Sequence, residues 1–137
     1  MKIVEPSSSY SILVPDDIHE DYDDRVTSLW DDGDPMALQL SSYRRHEGQQ
    51  IPAEERLEDE IKKISATWSK VEVELCSNEA VDQAAAKYFD GNAMWIHAFF
   101  VWPDLAIYVT LGGPPQKVRD PDSWARIALK NLSPATR

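Results

Sequence analysis

Three histidines, one cysteine and a dense set of carboxylates are the residues of this chain with the means to do chemistry. His19, His46 and His97 share no metal-ligand spacing with one another or with Cys76, so the sequence carries no zinc signature. A nucleophilic Cys–His site would need Cys76, at the end of a strand-like stretch, to meet His97 or His46 in space. The commoner role of a lone cysteine is a small apolar filler, and that of a mid-strand histidine between Trp95 and Phe99 is a hydrogen-bonded group beside the core. The run Asp16, Asp17, Glu20, Asp21, Asp23, Asp24 offers hard oxygen ligands but lacks the D-x-D-x-D-G-x5-E order and the glycine that a calcium loop requires. Gly112-Gly113-Pro114-Pro115 has neither phosphate-loop spacing nor a following Lys-Ser/Thr, and reads as a strand terminator. No cofactor or metal is implied, and the chain is not expected to be an enzyme.

The carboxylates are informative through their placement. The 137 residues carry a net charge of −10, which disfavours nucleic acid and anionic membrane as partners because both repel it. Residues 1–34 hold ten acids against Lys2 and Arg25, for −8, whereas residues 35–137 hold fourteen acids against twelve bases, for −2. Like charges this dense raise the free energy of the isolated fold, and a cationic partner relieves that repulsion. The candidate partner-binding surface is therefore Asp16, Asp17, Glu20, Asp21, Asp23 and Asp24, joined by Asp31, Asp32 and Asp34, with Tyr22 and Trp30 as aromatic anchors if exposed.

The elements that must position these residues follow from periodicity. Tyr10–Val14 reads as a short strand stopped by Pro15, and DDIHEDYDD after it as a loop or one helical turn. Arg25–Trp30 and Met36–Tyr43 form a β-hairpin around a five-residue turn, Asp31–Pro35. From Pro52 the period changes, with Ala53, Leu57, Ile61, Ile64 and Trp68 on one stripe of an amphipathic helix. Lys70–Cys76 alternates as a strand, and Ala84–Phe89, Ala93–Trp102 and Leu105–Leu111 follow as a meander turned at Asp-Gly and Pro-Asp. AMWIHAFFVW is apolar on both faces, as a central strand covered on both sides would be. Asp120-Pro121-Asp122-Ser123 then starts a helix with Asp120 as N-cap and Pro121 at N1, bearing Trp124, Ile127, Ala128 and Leu132 on one side. The tail, 132–137, is expected to be loose. The order is β-β-β-α-β-β-β-β-α, an α+β antiparallel sheet with two flanking helices in one domain, 1–137.

This order, together with ILVPDD near the front, LQLSSYRR leading through a short loop to an amphipathic helix, and DSWARIAL at the close, resembles the Mog1/PsbP-like fold group. That group includes small bacterial proteins that act as adapters for secreted toxins. The adapter subgroup tends to carry a Ser-Arg-Asp-like triplet at the end of the strand matching Leu38–Arg45; here the stretch reads Ser41-Ser42-Tyr43-Arg44-Arg45.

Two function classes follow. One is a bacterial immunity protein that neutralises a cognate toxin, its acidic surface occupying a basic cleft in place of phosphate. The other is an adapter or chaperone that shields a secreted effector on an apolar sheet face lined by Trp95, Phe99 and Val101. No window is apolar for the eighteen or so residues of a membrane span, and MKIVEPSSSY lacks a signal-peptide core, so the cytoplasm is the expected location.

Overall fold

The computed structural model describes residues 1–6, 9–44 and 50–135. Its strands are β1 (Lys2–Val4), β2 (Tyr10–Val14), β3 (His19–Asp23), β4 (Val26–Asp31), β5 (Asp34–Arg44), β6 (Ser69–Lys70), β7 (Asp82–Asp90), β8 (Ala93–Trp102), β9 (Leu105–Gly113) and β10 (Ser133–Pro134). The helices are α1 (Ala53–Ile61), α2 (Pro115–Val118) and α3 (Trp124–Lys130). Seven strands make one antiparallel sheet in the order β3-β4-β5-β9-β8-β7-β6, and β1-β2-β10 make a second, three-stranded one. The fold is α+β.

The register of β8 explains its unbroken apolar run. Met94, Ile96, Ala98, Phe100 and Trp102 point into the main core, which also takes Tyr10 and Ile12 of β2 and Ala125, Ala128 and Leu129 of α3. Phe99 and Val101 point the other way, into a smaller cluster closed by Ala53 and Leu57 of α1. Both faces of β8 are thus covered, and each fully buried large side chain contributes about 1.5–3 kcal/mol of transfer free energy. The second sheet, α3 and the segment 71–76 lie on one side of the large sheet, while α1 lies on the other and packs mainly on β7 and β8.

Several expectations need correction. DDIHEDYDD is neither loop nor helical turn from His19 onward, because β3 pairs along its whole length with β4, Asp23 opposite Val26 and His19 opposite Trp30. The β4–β5 hairpin exists, but Asp31 pairs with Asp34 across a bulge at Trp30/Asp31, so the loop is Asp32-Gly33 alone. Helix α1 stops at Ile61; Ile64 and Trp68 continue its stripe without helical backbone. Trp68 instead donates its indole N–H to the Ile64 carbonyl, 3.4 Å away, and packs edge-on to Tyr88.

Of Lys70–Cys76 only Lys70 lies in a strand, β6, and Val71 adds one bond to β7, its N–H donating to the Ala85 carbonyl at 2.9 Å. Beyond it the Gln83 side chain replaces the ladder, accepting from Leu75 and Cys76 N–H at 3.0 and 3.1 Å and donating to the Cys76 carbonyl at 2.9 Å. Helix α3 is capped by Ser123, whose hydroxyl accepts from Arg126 N, rather than by Asp120 with Pro121 at N1. The tail is not loose through Pro134, since Leu132 is buried and β10 pairs with Tyr10 and Ser11 of β2. No helix among the described residues is long and apolar enough to cross a membrane.

Candidate partner-binding surface

Strand β3 is an outer strand of the large sheet, so among the described residues one side of its backbone has no partner strand. All five of its residues, His19, Glu20, Asp21, Tyr22 and Asp23, are exposed. A strand this charged holds its place through backbone pairing with β4 and through one aromatic contact: the His19 ring stacks on Trp30, centroids 5.5 Å apart at 22°. Asp24 closes the β3–β4 turn with φ +55, a left-handed conformation that Asp tolerates better than most residues.

The register divides the acids. Asp21 and Asp23 alternate with Glu20 and Tyr22, and in register with His19 they share a face with Ser28 and Trp30 of β4. Glu20, on the opposite face, meets Lys2 Nζ at 3.0 Å and accepts the Tyr22 hydroxyl hydrogen at 3.0 Å. Burial and that bonded carboxylate raise the Tyr22 pKa above its ordinary value. Asp16 meets the N-terminal amine at 3.2 Å.

At the hairpin tip, Asp31 accepts from Gly33 N–H at 3.0 Å and Asp34 from Met36 N–H at 3.1 Å, while Lys117 Nζ lies 3.5 Å from Asp34. Those two side chains shape the turn and are less available to a partner. Asp32 reaches back to His19, Nε2 to Oδ2 2.7 Å. The two acidic segments therefore share one end of the sheet, and from that end the carboxylates run along β3 to Asp24. Among the described residues, Asp17, Asp21, Asp23 and Asp24 have no ion-pair partner.

Tyr22, 53% exposed, is available as an anchor. Trp30 is not a free anchor, being half-buried beneath His19. His19 and Lys2 are the surface's unforeseen members: a histidine inside an acidic run and a lysine nearly twenty residues earlier gave no periodic signal.

The remaining candidates separate. Cys76 lies in the main core and donates its thiol to the Leu132 carbonyl at 3.3 Å, burial raising its pKa. His97 projects to the α1 face, where its Nδ1 meets the Tyr108 hydroxyl and its ring lies edge-on to Trp68. The sheet stands between them, so they form no Cys–His pair. His46 lies outside the described residues. Glu20, Asp21 and Asp23 lie along strand β3, with Asp16 and Asp17 in the turn before it and Asp24 in the turn after it, and among the described residues no group of three or more His, Cys, Asp or Glu side chains is placed to hold a metal. The apolar groove of Trp95, Phe99 and Val101 is not open either. Phe99 and Val101 are buried beneath α1, and the half-buried Trp95 ring lies over Gly112.

No protein-family model matches the chain, and no curated protein matches it. A solved structure from Bacteroides thetaiotaomicron shares its fold, with a TM-score of 0.56 and 11% identity, over 93% of this chain and 46% of that one. The chain thus spans about half the length of that neighbour.

Proposed function

We propose that this chain is a non-catalytic protein-binding module that presents the acidic β3 edge to a basic partner, and that it serves as the immunity protein of a bacterial toxin–immunity pair. The observation that carries the reading is the coincidence of three properties in one strand among the described residues: a backbone edge with no partner strand, five exposed residues, and carboxylates without an ion-pair partner at Asp21 and Asp23. An open edge accepts an extended segment by strand addition, with affinity from main-chain hydrogen bonds and selectivity from alternate side chains. Like charges on β3 prevent two copies from pairing through it and favour a segment rich in Lys or Arg. A nuclease-like toxin has such basic surface where it holds phosphate. The acids that line the edge are Asp16, Asp17, Glu20, Asp21, Asp23, Asp24 and Asp32, with Tyr22 as the aromatic contact.

Titration of the 15N-labelled protein with an eight-residue peptide alternating Lys and Val tests the mode of binding. Amide shifts concentrated on residues 19–24, weakened by salt, are the expected outcome. Shifts scattered over the surface, or the same response from an alternating Glu and Val peptide, would refute it.

A further inference from the structure

On the same side of the sheet as the main core, at the far end from β3, a cleft of about 420 Å³ opens between the segment 70–73 and the α2–α3 connection. Met94 and Ile96 form apolar lining there, with Val71 and Val73 beside them. Three cations surround this lining, Lys87, Arg119 and Arg126, against Glu72 as the one acid of the wall; Lys70 also borders it, but its ammonium is turned to Glu54 of α1 on the other side of the sheet. In a chain of net charge −10, a cleft wall of +2, from Lys87, Arg119 and Arg126 against Glu72, is a local inversion of sign. It lies far from β3, since β3 and β7 are five strand spacings apart, about 24 Å.

These cations are not consumed by the abundant acids. Among the described residues Lys87, Arg119 and Arg126 have no ion-pair partner, and Lys70 reaches only Glu54, at 4.0 Å. Arg126 is held in place by carbonyls, its Nη1 donating to Val118 and Arg119 at 3.1 and 3.3 Å, which fixes the guanidinium without neutralising it. Burial lowers its pKa from the ordinary guanidinium value, partly offset by the charge of Asp120. Arg119 is set over the Phe89 ring, 5.5 Å from its centroid. A preset cationic rim above an apolar floor, of a volume ordinary for small-molecule sites, selects one ligand class.

We propose that this cleft binds a small organic anion, a phosphate monoester or carboxylate attached to an apolar body, with the acidic head between Lys87, Arg119 and Arg126 and the body on Met94 and Ile96. The phosphate and carboxylate share the chemistry of an oxyanion fork that guanidinium groups recognise, and the experiment distinguishes them.

Phenyl phosphate, benzoate, inorganic phosphate and phenol are titrated separately into the 15N-labelled full chain. The expected result is saturable shifts around Val71, Ile96 and Arg126 with phenyl phosphate or benzoate, at a Kd on the order of 1 mM or tighter. Inorganic phosphate and phenol should each bind at least tenfold more weakly. Lys87→Ala and Arg119→Ala, both at surface-accessible positions, should each weaken binding about tenfold, and Lys62→Ala on the other side of the sheet should leave it unchanged. A folded variant is verified from its undisturbed spectrum. Absence of saturable shifts in the cleft, equal binding of inorganic phosphate, or indifference to both substitutions would overturn the assignment.

Discussion

His19 and Asp32 meet at 2.7 Å between the first residue of β3 and the β4–β5 turn. The contact ties two acidic segments, thirteen residues apart in the chain, into one surface, and it sits where His19 also covers Trp30. The two side chains are 46% and 79% exposed, so the pair adds little stability. Asp32→Ala is expected to cost less than about 0.5 kcal/mol in urea unfolding, while moving the His19 and Trp30 resonances. A loss of several kcal/mol would mean that the pair does more than align the surface.

Gly112 is required by Trp95. A Cβ at position 112 would stand 2.5 Å from the indole ring, and the Gly112 backbone is not left-handed. Gly112→Ala is expected to destabilise by about 1–3 kcal/mol through overpacking. In a Trp95→Ala background most of that cost should vanish, which a double-mutant cycle measures directly.

His97 makes stability depend on pH. Burial lowers its pKa below the ordinary 6.5, and Glu60 offsets this only in part. The unfolded chain therefore binds a proton before the folded one does. Stability is full above pH 6.5 and declines as pH falls from there toward the folded pKa. His97→Gln should remove that slope below pH 6.5 in denaturant midpoints, where unfolding of the parent is expected to show it. An identical slope in both proteins would assign the effect to other groups.

Helix α1 receives its N-terminal cap from another element. Pro52 supplies no side-chain bond, and Asp82 of β7 accepts from Ala53 N–H at 2.9 Å. Asp82→Ala is expected to cost about 0.5–2 kcal/mol. Hydrogen exchange should rise in 53–61 more than in β8.

What was legible in the sequence was what periodicity encodes. Met36, Leu38 and Leu40 alternate because one face of β5 meets the core, and AMWIHAFFVW reads as a covered central strand because it is one. The acidic candidate surface was legible as composition, since its charge is concentrated in residues 1–34. Its geometry was not. Strand β3 has polar side chains on both faces, so it carries no alternation, and only pairing to β4 reveals it. The opposite failure occurred at Lys70–Cys76, whose alternation is that of a strand but whose ladder ends after Val71, the Gln83 side chain taking the backbone groups of Leu75 and Cys76. A side-chain amide standing in for a ladder leaves no periodic trace. The stop of α1 at Ile61 was hidden likewise, because Trp68 keeps the helical stripe while serving the Tyr88 and His97 rings.

In the proposed function the acidic β3 edge, through Asp21 and Asp23, holds a basic protein partner. The most direct measurement is the affinity of the partner captured from the native host for the parent chain and for Asp21→Lys/Asp23→Lys, each at low and high salt. Exposed interface charges of this kind contribute about 1 kcal/mol or more each when reversed. The expected result is a loss of at least tenfold in affinity, together with a flattened salt dependence, in a variant whose unfolding midpoint is unchanged. Equal affinity and an equal salt slope for the two proteins would contradict the claim.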